Sequence, residues 1–326
     1  MIGTIQEPIG PVESQPEPRA VESGVRRMSA SFWLRFMFWW TQYYPRFVLV
    51  TRPLFLWFAW RYSKVLRRGT LANARRILGE HSSTRQREAL AKSVIRNFYL
   101  SVYELGQHVR QTREQLAKQI DGVSNRERYF DVRAQKRGAI VVTAHLGGFE
   151  LGMLALSEKE KRVHVVYHRD AIPRFDRLRS RLRNLIGVIE SPVDDGWSLW
   201  IRLRDALLAD EVVVLQADRI MPGQRGKRVP FFDGHIEMPP GPVKLALATG
   251  APIIPILSIR TAVGRVKIVI EEAIFVSRAD GPVNGAHPAF RHIASALERH
   301  VRANPEQWSM VYPVWCEDQI DGPVTN

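Results

Sequence analysis

Five nearly continuous apolar runs mark the second half of the chain: residues 138–145 (GAIVVTAH), 163–167 (VHVVY), 211–217 (EVVVLQA), 251–259 (APIIPILSI) and 266–276 (VKIVIEEAIFV). Strands buried on both faces lose the alternation of half-exposed ones and read this way. Stretches with helical spacing lie between several of them, at 149–158, 172–184, 197–209 and 241–249. Strands alternating with helices predict an α/β fold, with a mixed, largely parallel sheet flanked by helices. Upstream, residues 64–120 read as helical throughout. There Ser83-Thr84 precede a long helical pattern, and Glu88 stands in loose capping-box position behind Thr84.

The N-terminal stretch breaks this pattern. Residues 1–27 hold Pro8, Pro11, Pro16 and Pro18 among Glu, Gly and Ser, which reads as a flexible tail rather than a signal peptide. Residues 32–60 then concentrate Trp33, Trp39, Trp40, Trp57 and Trp60, interrupted by Arg35, Arg46 and Arg52 and by Pro45 and Pro53. No uncharged run there approaches the ~18 residues of a spanning helix. Trp, Tyr and Arg together suit the membrane interface, where rings sit at headgroup level and cations meet phosphates. Residues 28–66 are therefore expected to form membrane-associating helices, broken at Pro45. The expected organisation is a tail at 1–27, this region at 28–66, a main domain at 67–320 and a flexible end at 321–326.

Composition adds one large asymmetry. Among 326 residues, 47 Lys and Arg stand against 33 Asp and Glu, a net charge of +14. That balance implies an anionic partner: nucleic acid, an anionic membrane surface, or a phosphorylated substrate. The chain has a single cysteine, Cys316, which excludes a disulfide scaffold and any paired-thiolate site. His164 and His168 would share one face of a strand, yet no third ligand stands beside them to make a metal site. No metal site is expected there.

The segment Thr143-Ala144-His145-Leu146-Gly147-Gly148-Phe149-Glu150-Leu151 carries the candidate chemistry. A strand ends at His145, two glycines turn the chain, and a helix begins near Phe149. Across such a turn Glu150 can fold back onto the imidazole, orient it and favour its charged form, leaving the other ring nitrogen as a general base. The Gly147 and Gly148 amides at a helix start suit a developing oxyanion. The bland alternative is a tightly packed turn with a solvent-facing histidine. Downstream, Arg219, Arg225, Lys227 and Arg228 crowd a Gly/Pro-rich loop before Phe231 and Phe232. Cations beside an apolar wall suit a phosphorylated amphiphile, although both phenylalanines fit a core equally well. Arg169 is a candidate phosphate ligand. Asp218 ends a strand where ligand-facing residues of α/β sheets often sit, or caps the turn that follows. Arg177, Arg179, Arg181 and Arg183 fan over a wide arc of one helix and suit lipid headgroups, an acidic carrier protein, or solvent.

HLGGFE resembles the HX4(D/E) motif of the bacterial late acyltransferases of lipid A biosynthesis, within the lysophospholipid acyltransferase superfamily. Further blocks follow in a similar order: Asn73-Ala74-Arg75-Arg76 at a helix start, VVYHRD at 165–170, LQADR at 215–219, VPFFDG at 229–234, the helix from 239, and Pro305-Glu306-Gln307-Trp308. The resemblance implies an acyltransferase-like fold. It implies that His145 deprotonates an acceptor hydroxyl, which attacks the thioester of an acyl carrier protein or coenzyme A, while Glu150 holds the ring. By analogy the loop from Asp218 to Gly234 shapes the acyl and acceptor sites, and no metal or redox cofactor is needed. With the residues read above, the expected substrate contacts are Gly147, Gly148, Arg169, Asp218, Arg219, Lys227, Phe231 and Phe232. The acceptor would be a membrane glycolipid such as a lipid A precursor, at the cytoplasmic face of a bacterial inner membrane.

Three departures bear on the acceptor. Gly148 and Phe149 stand where the motif commonly has Asn and Trp. Asp233 enters the Phe-Phe-Gly element, and the chain continues SMVYPVW after Trp308. A phosphatidylinositol mannoside, an aminolipid or a lysophospholipid therefore remain as alternative acceptors. A nucleic-acid-binding protein would rest on charge alone, since no recognition helix, zinc or stacking motif is present. A non-catalytic membrane protein would leave the His145–Glu150 pair without a use.

Overall fold

A computed structural model describes residues 43–169, 173–220 and 224–319, without the side chains of Arg174 and Phe175. The tail at 1–27, the Trp-rich segment up to residue 42 and the end at 321–326 lie outside the described residues.

Seven strands form one sheet in the order β1-β9-β8-β2-β5-β3-β4. They are β1 (Ile120–Ser124), β2 (Ala139–Thr143), β3 (Val163–Tyr167), β4 (Ile189–Pro192), β5 (Val212–Gln216), β8 (Ile253–Ala262) and β9 (Arg265–Ile270). All pairings are parallel except the β8–β9 hairpin, so the sheet is mixed and mostly parallel. The central strands β2 and β5 are buried along nearly their whole length, as their unbroken Val and Ile content requires. The last apolar run ends as strand at Ile270, where Glu271 and Glu272 interrupt it.

Helices cover both faces. One face packs under α3 (Thr84–His108), α4 (Arg113–Ala117), α5 (Arg126–Arg133), α6 (Phe149–Ser157) and α7 (Pro173–Ile186), around Leu105, Leu116, Met153, Leu154, Leu182 and Ile186. The other packs under α2 (Lys64–Leu78), α8 (Trp197–Leu208), α9 (Gly241–Thr249) and α10 (Pro288–Ala303), around Leu199, Leu203, Leu245, Phe290 and Leu297. The cap of α3 is Ser83 rather than Thr84: its hydroxyl accepts from Gln86 N, and Gln86 Oε1 accepts from Ser83 N. Asn73 and Arg76 do not start a helix. They lie late in α2, where Asn73 Nδ2 donates to the carbonyls of Met310 and Tyr312 and Arg76 pairs with Asp318.

The α1 helix (Pro45–Tyr62) starts at Pro45, whose missing N–H costs nothing in a first turn, and runs on through Pro53. It lies on α3, with Val48 buried, Tyr99 Oη donating to the Val48 carbonyl, and the Phe55 and Tyr99 rings 4.8 Å apart. Its other face leaves Phe47, Val50, Leu54, Trp57 and Phe58 exposed. No helix among the described residues is long and apolar enough to cross a membrane.

The segment expected to be a substrate loop before Gly234 is partly a hairpin, β6 (Lys227–Phe231) with β7 (Gly234–Met238). Phe232 at its tip has φ +53°, a costly conformation for an aromatic residue. The surroundings hold it there: its N–H donates to Glu298 Oε2, and the Arg302 guanidinium lies 4.5 Å from its ring centre.

Candidate functional site

The site lies where β2 and β5 end. Their parallel register sets Thr143 opposite Gln216, which brings the residues two further along, His145 and Asp218, face to face. Asp218 Oδ1 lies 2.9 Å from His145 Nδ1, and Oδ2 accepts the backbone N–H of His145 at 2.8 Å and Trp308 Nε1 at 3.0 Å. The aspartate side chain is 1% exposed and the histidine 15%. Three donors therefore converge on one buried carboxylate, which is what keeps such a group ionised away from water.

The charges agree with that geometry. Burial alone would raise the Asp218 carboxyl, but His145 and the donated N–H bonds hold it below its ordinary value. Burial lowers the His145 imidazole, Asp218 opposes this, and the Arg219 and Arg179 cations reinforce it. The ring is thus neutral near pH 7. An ionised carboxylate can only accept, so the single ring proton sits on Nδ1 and Nε2 keeps its lone pair.

Glu150 was the expected partner of this ring, and the structure gives that place to Asp218. Glu150 opens α6 and lines the same cavity. Burial raises its carboxyl, and the Arg179 cation partly offsets the shift. Its contribution to the site is a carboxyl group inside the cavity, not an orienting bond to His145.

The two glycines serve the turn. Gly147 has φ +59°, and a Cβ there would collide with the Ser258 carbonyl oxygen. Its N–H donates to the Gln307 carbonyl at 3.2 Å, so that amide is not available to an oxyanion. Gly148 precedes α6 with its Cα side against Val266. The Pro305–Trp308 block clamps this turn. Ser309 N donates to the His145 carbonyl, and the Gln307 amide group bonds both backbone polar atoms of Arg260. Neither this clamp nor the Trp308 bond to Asp218 is expressed in local spacing, because the partners lie from 47 residues apart (Gln307 and Arg260) to 164 (Ser309 and His145).

His145, Glu150 and Phe149 open onto a cavity of about 1000 Å³. Leu105, Met153, Val165, Leu182 and Val214 line it on one side of the sheet, and Trp200, Leu215, Leu245 and Ala248 on the other. Arg169, Arg179, Arg183, Arg204, Arg219, Arg225 and Lys244 line it too, with Glu150 the one acidic residue among the lining groups. Arg169 is half exposed and paired with Asp195 at 3.2 Å. Arg219 donates to the Tyr312 hydroxyl at 2.7 Å. The arginine fan on α7 divides as a helix must: Arg177 and Arg181 face solvent, Arg179 faces the cavity, and Arg183 is buried over the Tyr167 ring and bonded to Glu190.

Of the expected ligand residues only Arg169 and Arg219 line this cavity; Gly147 and Gly148 make the turn beside it, and Phe231, Phe232, Lys227 and Asp218 lie elsewhere. Phe231 is 1% exposed and packs between Trp308 and Trp315, which is the core reading of that residue. Phe232 and Lys227 belong to the hairpin, outside the lining set. Asp218 stands behind His145 rather than against the cavity. His164 and His168 take separate carboxylates, Glu211 and Asp194, and no metal-holding cluster occurs among the described residues. Trp197, Trp200 and Lys244 line the cavity without any motif to announce them.

A mostly parallel α/β sheet thus sets a histidine, held by a buried carboxylate, at the wall of a cavity with apolar and cationic lining, the arrangement of a candidate general base. The chain belongs to the bacterial lipid A biosynthesis acyltransferase family, whose model matches residues 24–317. It is 25% identical to the phosphatidylinositol mannoside acyltransferase of Mycolicibacterium smegmatis over 186 residues, 57% of this chain and 59% of that protein. It is also 25% identical to the phosphatidylinositol mannoside acyltransferase of Mycobacterium tuberculosis over 205 residues, 62% of this chain and 63% of that protein. Each match spans less than two thirds of the relative's length.

Proposed function

We propose that the protein is an O-acyltransferase that moves a fatty acyl chain from a thioester to a hydroxyl of a membrane glycolipid. The observation that carries this reading is His145, held through Nδ1 by the buried Asp218 carboxylate, at an apolar cavity whose charged lining is almost wholly cationic. Nε2 takes the proton of the acceptor hydroxyl as its oxygen attacks the thioester carbonyl carbon. The ring becomes an imidazolium, stabilised by the Asp218 carboxylate. The tetrahedral adduct then collapses, the C–S bond breaks, and the leaving sulfur takes the proton from Nε2. General-base assistance of this kind is worth about 10²–10⁴-fold.

The cavity lining favours a phosphorylated lipid as acceptor: apolar walls suit acyl chains, and the arginines suit phosphate. A lipid A precursor and a phosphatidylinositol mannoside both meet that description. The donor is the thioester of an acyl carrier protein or coenzyme A. The exposed apolar face of α1 supports attachment to the membrane, and such a lipid acceptor fits the cytoplasmic face of a bacterial inner membrane. The test is transfer of a labelled acyl chain from each donor to each purified acceptor. Transfer that survives His145→Ala at full rate, or no transfer to any of these acceptors, would overturn the reading.

A further inference from the structure

The α8 helix carries an apolar stripe that the fold does not cover. Leu199, Leu203, Ala206 and Leu207 bury its inner face. Trp197, Ile201 and Leu208 fall on the opposite face at helical spacing, 85%, 50% and 63% exposed, with the Asp205-paired Arg204 among them. A tryptophan this exposed on a helix is unusual, since its ring forgoes most of the apolar burial open to it. Trp197 and Ile201 also form part of the lining of the cavity that contains His145. Two further lining residues, Arg225 and Lys244, are exposed and carry no ion pair among the described residues.

We propose that this rim is a second membrane contact, separate from α1, which docks the cavity mouth on an anionic bilayer so that the lipid acceptor enters without crossing water. The proposal rests on the acyltransferase reading for its purpose, not for its geometry. An acidic protein is the rival occupant, and the charges on α8 argue against it. Arg202 pairs with Asp195 at 2.7 Å and Arg204 with Asp205 at 2.7 Å. The unsatisfied feature of the helix is therefore its apolar stripe, and the unpaired Arg225 and Lys244 line the same cavity as Trp197 and Ile201. Apolar groups that enter the acyl boundary, flanked by cations that meet lipid phosphate, are what an anionic bilayer accepts.

The experiment places a nitroxide on the full-length chain at position 197, as Trp197→Cys in a Cys316→Ser background. Vesicles of equal parts phosphatidylcholine and phosphatidylglycerol are the probe. With vesicles the label should become more accessible to oxygen and less accessible to a water-soluble nickel chelate. A label at exposed Arg299, on α10, should change in neither. Leu208→Glu, a site outside the cavity lining, should weaken vesicle partitioning by about tenfold, the value of roughly 1.4 kcal/mol of lost apolar burial. It should leave transfer to acceptor in mixed micelles unchanged. A label that keeps its nickel accessibility on vesicle-bound protein would overturn the proposal. So would a label that is immobilised by an acyl carrier protein but not by vesicles. Wild-type transfer in the same preparation separates the two readings: transfer without insertion removes the docking alone, and insertion without transfer removes the enzymatic reading alone.

Discussion

Replacing Asp218 by Asn tests how the base is prepared. The two oxygens of Asp218 are not equivalent. Oδ2 receives two N–H groups, from His145 N and Trp308 Nε1, and Oδ1 faces the ring nitrogen. An asparagine can satisfy both N–H donors only by keeping its oxygen at the Oδ2 position. Its NH2 group then faces Nδ1 and donates to it. The ring must carry its proton on Nε2, and the lone pair that should take the hydroxyl proton is lost. The fold should survive, because shape and the bonds to Oδ2 are kept. Where a carboxylate holds a catalytic histidine in its tautomer, the same change costs about 10⁴-fold, so a fall in kcat of about 10³–10⁴, roughly 4–5.5 kcal/mol, is expected. The assay is acyl transfer from a labelled thioester, with thermal unfolding run alongside. Activity within tenfold of wild type, in a protein of normal stability, would refute the assignment of Asp218 and return the orienting role to Glu150.

Other outcomes follow from the same site. The acid limb of the kcat/KM profile should lie below pH 6.5, because burial and nearby cations hold His145 below that value, and Arg219→Gln should move the limb to higher pH by removing one of those cations. Glu150 has a folded pKa above its unfolded 4.5, so its ionisation weakens the fold as pH rises from 4.5 through the folded value. Glu150→Gln should therefore raise Tm at pH 8 relative to wild type and leave it nearly unchanged near pH 4. Gly147→Ala should destabilise by about 2–5 kcal/mol in chemical denaturation, from the positive φ and the collision with the Ser258 carbonyl. Trp308→Phe keeps the packing but removes one donor to a buried carboxylate, so a loss of about 1.5–3 kcal/mol in the same assay is expected.

The sequence was informative where burial is continuous. β2, β3, β5 and β8 announce themselves because both faces are largely covered and Val, Ile and Leu dominate their buried stretches. The edge strands β1 (IDGVS) and β4 (IESP) do not, because half-exposed short strands carry no such run. The β6–β7 hairpin alternates in burial, yet its basic and Pro residues read as loop. His145 was legible from a strand ending in a histidine before two glycines. Its partner was not, because spacing along the chain favours Glu150 while strand register selects Asp218, 73 residues away. The recognisable blocks acquire a physical reason in the fold: Asn73 and Arg76 tie down residues 310–318, Gln307 braces the glycine turn, and Trp308 bonds to Asp218. Several of them hold one another in place around a single histidine.

The central claim is that His145 acts as the base in transfer of an acyl chain to a hydroxyl of a membrane lipid. Lipid mass spectrometry of a strain lacking this protein tests it most directly. One lipid class should be short by a single acyl chain, restored by the wild-type chain and not by His145→Ala expressed to the same level. An unchanged lipid profile, or full restoration by His145→Ala, would contradict it.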